Sequence, residues 1–308
     1  MGRYISKRIL YMIPMMFMVI VAIFLIMSLT PGDPASANLP VTAAQSVKDA
    51  YNESVGFTGS LWSRFANYMQ GLLTGNVLSY TTRENIFIEI GIRLPYTLSL
   101  SGTAFLLAAI FGVSLGILSA VKQYSFLDTT ITILAVFFGS VPAFLLGTLF
   151  ILYFSVGLGW FPSYGVEDGL KSYVLPVAAA TLAMTPMISR MTRAAMLSVM
   201  NQDYIRTARA KGCSERRVIW KHVLKNASLP IITLLVSGFA GVIGGSVIIE
   251  QVFSIPGIGM YMLNAISGKN VPVVMTCALL LAFIFMLSMV MMDIFYALID
   301  PRVRTRYQ

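Results

Sequence analysis

Residues Ile9–Leu29 read ILYMIPMMFMVIVAIFLIMSL, 21 consecutive positions without a Lys, Arg, Asp or Glu. A helix rises about 1.5 Å per residue, so this run reaches about 31 Å, the thickness of a bilayer's hydrocarbon core. Five further runs share its character: Thr97–Ala120, Thr130–Phe154, Ser172–Ser189, Ala227–Ile249 and Val271–Met292. The fourth of the six is the shortest, and it is expected to extend past Arg190 and Arg193 with its basic end in the cytoplasm. All six are apolar on every face. Barrel strands would instead alternate polar and apolar residues in short segments. The reading is an all-α membrane protein of about six transmembrane helices.

Composition agrees. Of the 308 residues 57% are hydrophobic and 11% charged, against about 25% charged in a soluble domain. Residues 1–308 read as one membrane domain, with an external loop over 30–96 and a cytoplasmic loop over 200–227. The N-terminus imitates a secretion signal, because Arg3, Lys7 and Arg8 precede the first apolar run and Ala35-Ser36-Ala37 resembles a cleavage site. A signal's apolar region spans only about 7–15 residues, so an uncleaved first helix is expected.

The net charge of +9 raises the question of nucleic acid, and the placement of the charge answers it. Three basic residues precede the first span, Lys122 sits in the turn after the second, nine lie over Arg190–Asn226, and Arg302, Arg304 and Arg306 follow the sixth. The opposite side holds Lys48, Arg64, Arg83, Arg93, Lys171 and Lys269. Basic residues concentrate on the cytoplasmic side of membrane proteins. Both termini are therefore expected in the cytoplasm, and no nucleic acid is needed to explain the charge.

In the external loop, Pro31, Gly32 and Pro34 end the first helix, and Leu61, Phe65, Tyr68 and Leu72 recur at helical spacing. That spacing predicts a short amphipathic helix, lying on the membrane, covering a pore mouth or packing on neighbouring helix ends. Pro14, Pro142, Pro176, Pro186, Pro230 and Pro272 fall within or beside the spans and predict kinks. Cys213 and Cys277 fall in a cytoplasmic loop and a span, so no disulfide is expected, and no CxxC spacing is present.

The cytoplasmic loop carries the most information. It reads DYIRTARAKG over Asp203–Gly212 and CSERRVIWKHVLKNASLP over Cys213–Pro230. This is two short helices broken at Gly212, which tolerates positive φ. Ser214 stands at the cap position of the second, and Val218, Ile219, Val223 and Leu224 give that helix an apolar stripe. A loop serving only to bind anionic lipid needs charge alone. A helix–break–helix with an apolar stripe is what docking into a protein groove requires.

This loop resembles the EAA loop of ABC-importer permeases, in the version of the oligopeptide, dipeptide and nickel branch. The resemblance lies in Tyr204–Gly212 and in His222, Leu224, Asn226, Ala227 and Pro230, with Arg206-Thr207-Ala208 in place of the general EAA triplet and Lys225 where Arg is usual. It extends along the chain through Thr30-Pro31-Gly32-Asp33-Pro34, Arg93–Leu98, Gly244–Glu250 with Phe253 and Pro256–Gly259, and Asp300-Pro301-Arg302. Gly75–Ser79 departs from it, lacking a second glycine and an acidic residue.

The resemblance implies a type I ABC-importer permease fold in the bacterial inner membrane. It implies a homologous second permease completing the pathway, two ATPase subunits that bind ATP and Mg, and an extracytoplasmic substrate-binding protein. Tyr204, Arg206, Thr207, Ala208, Ala210, Gly212, Val218 and His222 would then form the ATPase-coupling element. Glu250, Phe253, Pro256 and Gly257 are candidates for the pathway or its gate. The implied cargo is peptide, with nickel or a metal chelate as the alternative.

No phosphate loop of the GxxxxGK[ST] type occurs, so ATP hydrolysis is expected in partner subunits rather than in this chain. His222 is the only histidine, which argues against a multi-histidine metal site or a Ser–His pair, and the methionines Met12, Met15, Met16 and Met18 read as apolar filler. Channel, membrane enzyme and ion-driven transporter readings lack, respectively, a filter loop, a catalytic constellation and charges inside the spans.

Overall fold

A computed structural model describes residues 2–299, without the side chains of 2–7, 9, 240, 242, 243, 245 and 292–299. Asp300-Pro301-Arg302 and the basic C-terminal tail lie outside the described residues. The helices are α1 (Gly2–Leu29), α2 (Pro34–Asn38), α3 (Gln45–Ser54), α4 (Leu61–Thr74), α5 (Ile86–Val121), α6 (Phe126–Ser140) and α7 (Ala143–Phe150, continued by a π-helical stretch Ile151–Gly157). Next along the chain come α8 (Leu170–Met200), α9 (Asp203–Ala210), α10 (Glu215–Arg217, continued by a π-helical stretch Val218–Val223), α11 (Leu224–Val252), α12 (Ile258–Ser267) and α13 (Val271–Ile299).

Among the described residues, five helices are long and apolar enough to cross a membrane, and α6 with α7 makes a sixth span if the bent pair is counted as one. The bend is 94°. Its cause is local: Pro142 brings no N–H to continue the α6 ladder, and Val141 before it is extended at φ −89°, ψ 122°. The second span also differs from its sequence reading. Helix α5 begins at Ile86, about three turns before Thr97, because Glu89 and Arg93 stand four apart and ion-pair along the helix. Their charge hid these turns from a search for uncharged runs. Helix α12, with ten residues, is too short to register as a span.

The described residues group into two compact units. One comprises Gly2–Thr97 and Pro256–Met286. Its core joins Ile20 and Phe24 of α1, Tyr68 of α4, Ile86 and Ile90 of α5, Ile258 of α12 and Met275 of α13. The stripe on α4 is therefore spent on packing: Phe65 and Leu72 press on this core, and the Tyr68 hydroxyl meets Thr276 Oγ1 at 3.2 Å. Burial pushes the Tyr68 hydroxyl up to about 12. Ser60 Oγ caps α4 by accepting from the Ser63 amide, and Gly75 closes it at φ +71°. The Arg64 guanidinium lies 4.1 Å from the Phe57 ring centroid and donates to Ser28 Oγ. Asn52 joins Asp33 to Ala35, and Asn270 joins Ser79 to the Tyr80 amide.

The other unit comprises Leu98–Ile255 and the described residues from Leu287. Here α5 packs on α8 closely enough that a Cβ on Gly112 would lie 2.7 Å from Ile188 Cβ, and one on Gly116 2.6 Å from the Ser189 carbonyl oxygen. Gly112-Val113-Ser114-Leu115-Gly116 is a GxxxG pattern, which lets two membrane helices approach backbone to backbone. Without a hydrophobic driving force in lipid, that close packing is what holds the pair together.

Candidate functional site

The loop between α8 and α11 is fastened to the second of these units from three sides. Ile205 of α9, Val218 and Val223 beyond Gly212, and Ala227 of α11 are fully buried in one cluster with Met196 of α8 and Ala120 of α5. The apolar stripe at Val218 and Val223 thus faces the chain's own helices rather than offering a surface for docking. Burying these side chains in one patch makes α9 part of the bundle's end, and a force on it is passed to α5, α8 and α11 together.

The break at Gly212 has a definite geometry. Gly212 sits at φ +79°. Its amide donates to the Arg209 carbonyl at 2.9 Å and the Cys213 amide to the Ala208 carbonyl at 3.3 Å. These are the two bonds of a Schellman closure, which needs left-handed backbone at this residue. Arg209 Nε then donates to Glu215 Oε1 at 2.7 Å, bracing the end of α9 against the start of α10. Ser214 occupies the cap position with extended backbone, but its side chain makes no capping bond. Its carbonyl accepts from the Val218 amide instead.

The predicted coupling residues divide between two faces. Tyr204, Arg206, Thr207, Ala210 and Gly212 are exposed, Ala208 and His222 half-buried, and Val218 buried. Among these coupling residues, those on α9 and at its closing turn offer an open face. The His222 carbonyl accepts from Asn226 Nδ2 at 2.6 Å, within the helix.

Sequence reasoning missed a polar joint beside this cluster. Arg193 of α8 holds Asp128 of α6 with two bonds, Nε to Oδ1 and Nη2 to Oδ2, each 2.8 Å. Ser119 of α5 donates to Asp128 Oδ1 at 2.5 Å and the Tyr124 amide to Oδ2 at 2.9 Å. Three helices meet on one carboxylate that is 4% exposed. Arg193 therefore does not serve as a free basic residue at the helix end. Asp128, a lone acid just before the apolar run that begins at Thr130, was the available signal.

The pathway candidates fall into both units. Glu250 of α11 is fully buried and accepts from Ser246 Oγ at 3.2 Å. The Phe253 ring lies where a Cβ on Gly147 would be 3.0 Å from it, and its carbonyl accepts from the Gly165 amide at 2.9 Å. Pro256 and Gly257 belong to the other unit, where Gly257 precedes α12 and the Ile258 amide donates to Thr97 Oγ1 at 2.8 Å. A cavity of about 500 Å³ lies among α5, α7, α8 and α11, lined by Ser101, Phe105, Met184, Met187, Ser237 and Gly238 among others. Among the described residues, those lining it are mostly apolar and none is charged. A second, of about 900 Å³, lies between α5 and α8.

Comparison with known proteins gives a consistent result. Residues 112–305 match the family described as binding-protein-dependent transport system inner membrane component, and residues 1–101 match its N-terminal companion. The chain is 37% identical over 305 residues to the glutathione transport system permease protein GsiC of Escherichia coli strain K12, covering 99% of both chains. It is 36% identical, with the same coverage, to GsiC of Shigella flexneri serotype 5b. Among solved structures, an inward-facing MetNI methionine ABC transporter aligns with TM-score 0.61 at 20% identity, over 70% of this chain and 99% of that one.

Proposed function

Because this chain belongs to the family of binding-protein-dependent transport system inner membrane components, we propose that it forms half of the translocation pathway of an ATP-driven peptide importer and receives the ATPase stroke through α9. The observation that carries this reading is the asymmetry of the loop. One face of α9 is open, at Tyr204, Arg206 and Thr207, while Ile205 on the other is locked into a cluster shared by three long helices. A rigid lever with one free face converts a push from outside into movement of the bundle. The partners are a homologous permease, two ATPases that bind ATP and Mg, and an extracytoplasmic binding protein, with both termini of this chain cytoplasmic.

Peptide cargo is supported by relatives named for glutathione transport. Selection of the cargo is assigned to the extracytoplasmic binding protein, which presents it to the pathway. The test is uptake into proteoliposomes holding the chain with its cognate partners. Glutathione and a graded set of short peptides are compared with a nickel chelate, each presented by the binding protein. Peptide uptake that needs ATP is expected. Uptake of the nickel chelate alone would move the cargo to metal, and uptake without ATP or ATPases would overturn the importer reading.

A further inference from the structure

We propose that the outward flank of the helix running from Glu215 into α11 is a binding site for anionic phospholipid headgroups of the cytoplasmic leaflet, formed by Arg217, Trp220, Lys221 and Lys225. The cytoplasmic placement rests on the function proposed above.

The flank is defined by what the opposite side does. Val218, Val223 and Ala227 are fully buried against the chain's own helices. Arg216, Arg217, Trp220, Lys221 and Lys225 are all exposed, and Trp220 is 59% exposed. Arg217, Lys221 and Lys225 repeat at intervals of four, and so do Arg216 and Trp220, so they stand in two adjacent rows. No acidic side chain follows Glu215 on this stretch, and Glu215 itself is held by Arg209.

Depth decides which partner fits. The helix continues without a break from Glu215 into a membrane span, and the uncharged run begins at Ala227. At no more than about 1.5 Å per residue, and less through the π-helical turn Val218–Val223, Lys225 lies within about 3 Å, Lys221 within about 9 Å and Arg217 within about 15 Å of that run. The headgroup layer is about 5–7 Å thick on each side of the hydrocarbon core. Lys225, Trp220 and Lys221, with their reach, stand within or against that layer, and tryptophan is the residue that settles at such an interface. Arg217 stands on its water side, within the screening distance of about 8 Å over which surface charge still acts. There Ser214, Arg216, Arg217 and Trp220 line a groove of about 450 Å³. A positive stripe with a tryptophan, turned away from its own protein at headgroup depth, is complementary to an anionic lipid surface. The α9 face offered to the ATPases lies on the other side of the Gly212 turn, so one loop serves both partners.

The experiment uses the assembled transporter in vesicles of phosphatidylcholine containing about a fifth phosphatidylglycerol. A trace of phosphatidylglycerol with a photoreactive headgroup is introduced into one leaflet at a time, and cross-links are mapped by mass spectrometry. Cross-links over 214–225 are expected only with label in the leaflet facing the ATPases. They should fall roughly fivefold per charge removed in Lys221→Gln, Lys225→Gln and their combination with Arg217→Gln. Lys221→Arg and Lys225→Arg should retain them, as should the control Lys122→Gln. Co-elution of the ATPases shows that each variant is assembled. Cross-links that persist in the triple variant, or their absence from wild type with ATPases bound, would overturn the lipid site. Cross-links from the opposite leaflet would instead overturn the orientation on which it rests.

Discussion

Replacing Asp128 by Asn removes a charge while keeping the shape of the side chain. The carboxylate accepts from Ser119 Oγ, the Tyr124 amide and two nitrogens of Arg193. An amide places an NH2 where one oxygen stood, so it meets Arg193 Nη2 and the Tyr124 amide at the Oδ2 position, or Arg193 Nε at the Oδ1 position, donor against donor. Breaking a buried ion pair from one side costs about 3–5 kcal/mol. The Arg193 side chain is 29% exposed and can turn to water, which brings the expected loss below that range, to about 2–3 kcal/mol. At about 2 °C per kcal/mol for a long chain, thermal unfolding in detergent should move down by about 4–6 °C. Arg193→Lys keeps the charge and loses the second bond, so it should fall between. Lys122→Gln, on an exposed turn, should stay within about 0.5 kcal/mol of wild type. An Asp128→Asn protein that melts with wild type would refute the claim that this carboxylate ties the three helices together.

Gly116→Ala should destabilise by about 1–3 kcal/mol through overpacking, whereas Gly102→Ala, whose Cβ meets nothing within 4 Å, should be neutral or gain up to about 1 kcal/mol; equal melting points for the two would contradict the close α5–α8 approach. The Asp33 carboxyl, held below its usual range by hydrogen bonds first from Ser36 and then from Asn52, contributes stability that is present above about pH 4 and lost as pH falls through its lower folded value. Protease sensitivity over residues 34–54 should therefore rise on acidification, and Asp33→Asn should abolish that rise; an unchanged profile would speak against it. Cys277 is fully buried and Cys213 partly exposed, so an impermeant thiol reagent should leave intact cells unlabelled until Lys48→Cys is introduced. Labelling of Cys213 from outside would reverse the topology.

The membrane spans were legible because a run without charge has few other uses, but their ends were not. The Glu89–Arg93 pair concealed the start of α5, since two opposite charges that satisfy each other look, to a search for apolar runs, like a loop. Pro142 announced a kink without its 94° size, because proline fixes what the helix loses and its neighbours decide where the chain then goes. In the site, positive φ at Gly212 was readable from residue type and spacing. Which face of the stretch after it turned inward was not: Val218 and Val223 make an apolar stripe whether it docks on a partner or on the chain's own helices. Asp128 and Arg193 stand 65 residues apart, and no local pattern joins them.

The coupling claim meets its most direct test at Gly212, where left-handed backbone closes α9 and the space around an added Cβ is empty. Valine there costs about 1–3 kcal/mol in backbone strain alone and must move α9 or the start of α10 to relieve it. Asparagine tolerates the same backbone. Gly159→Val imposes equal strain at φ +65°, again in open space, but in a loop outside α9–α11. Uptake is measured with co-purification of the ATPases, at matched amounts of each variant in the membrane. Gly212→Val should lose uptake, either by releasing the ATPases or by hydrolysing ATP without transport, while Gly212→Asn and Gly159→Val keep it. Normal uptake by Gly212→Val with its ATPases bound would contradict the account.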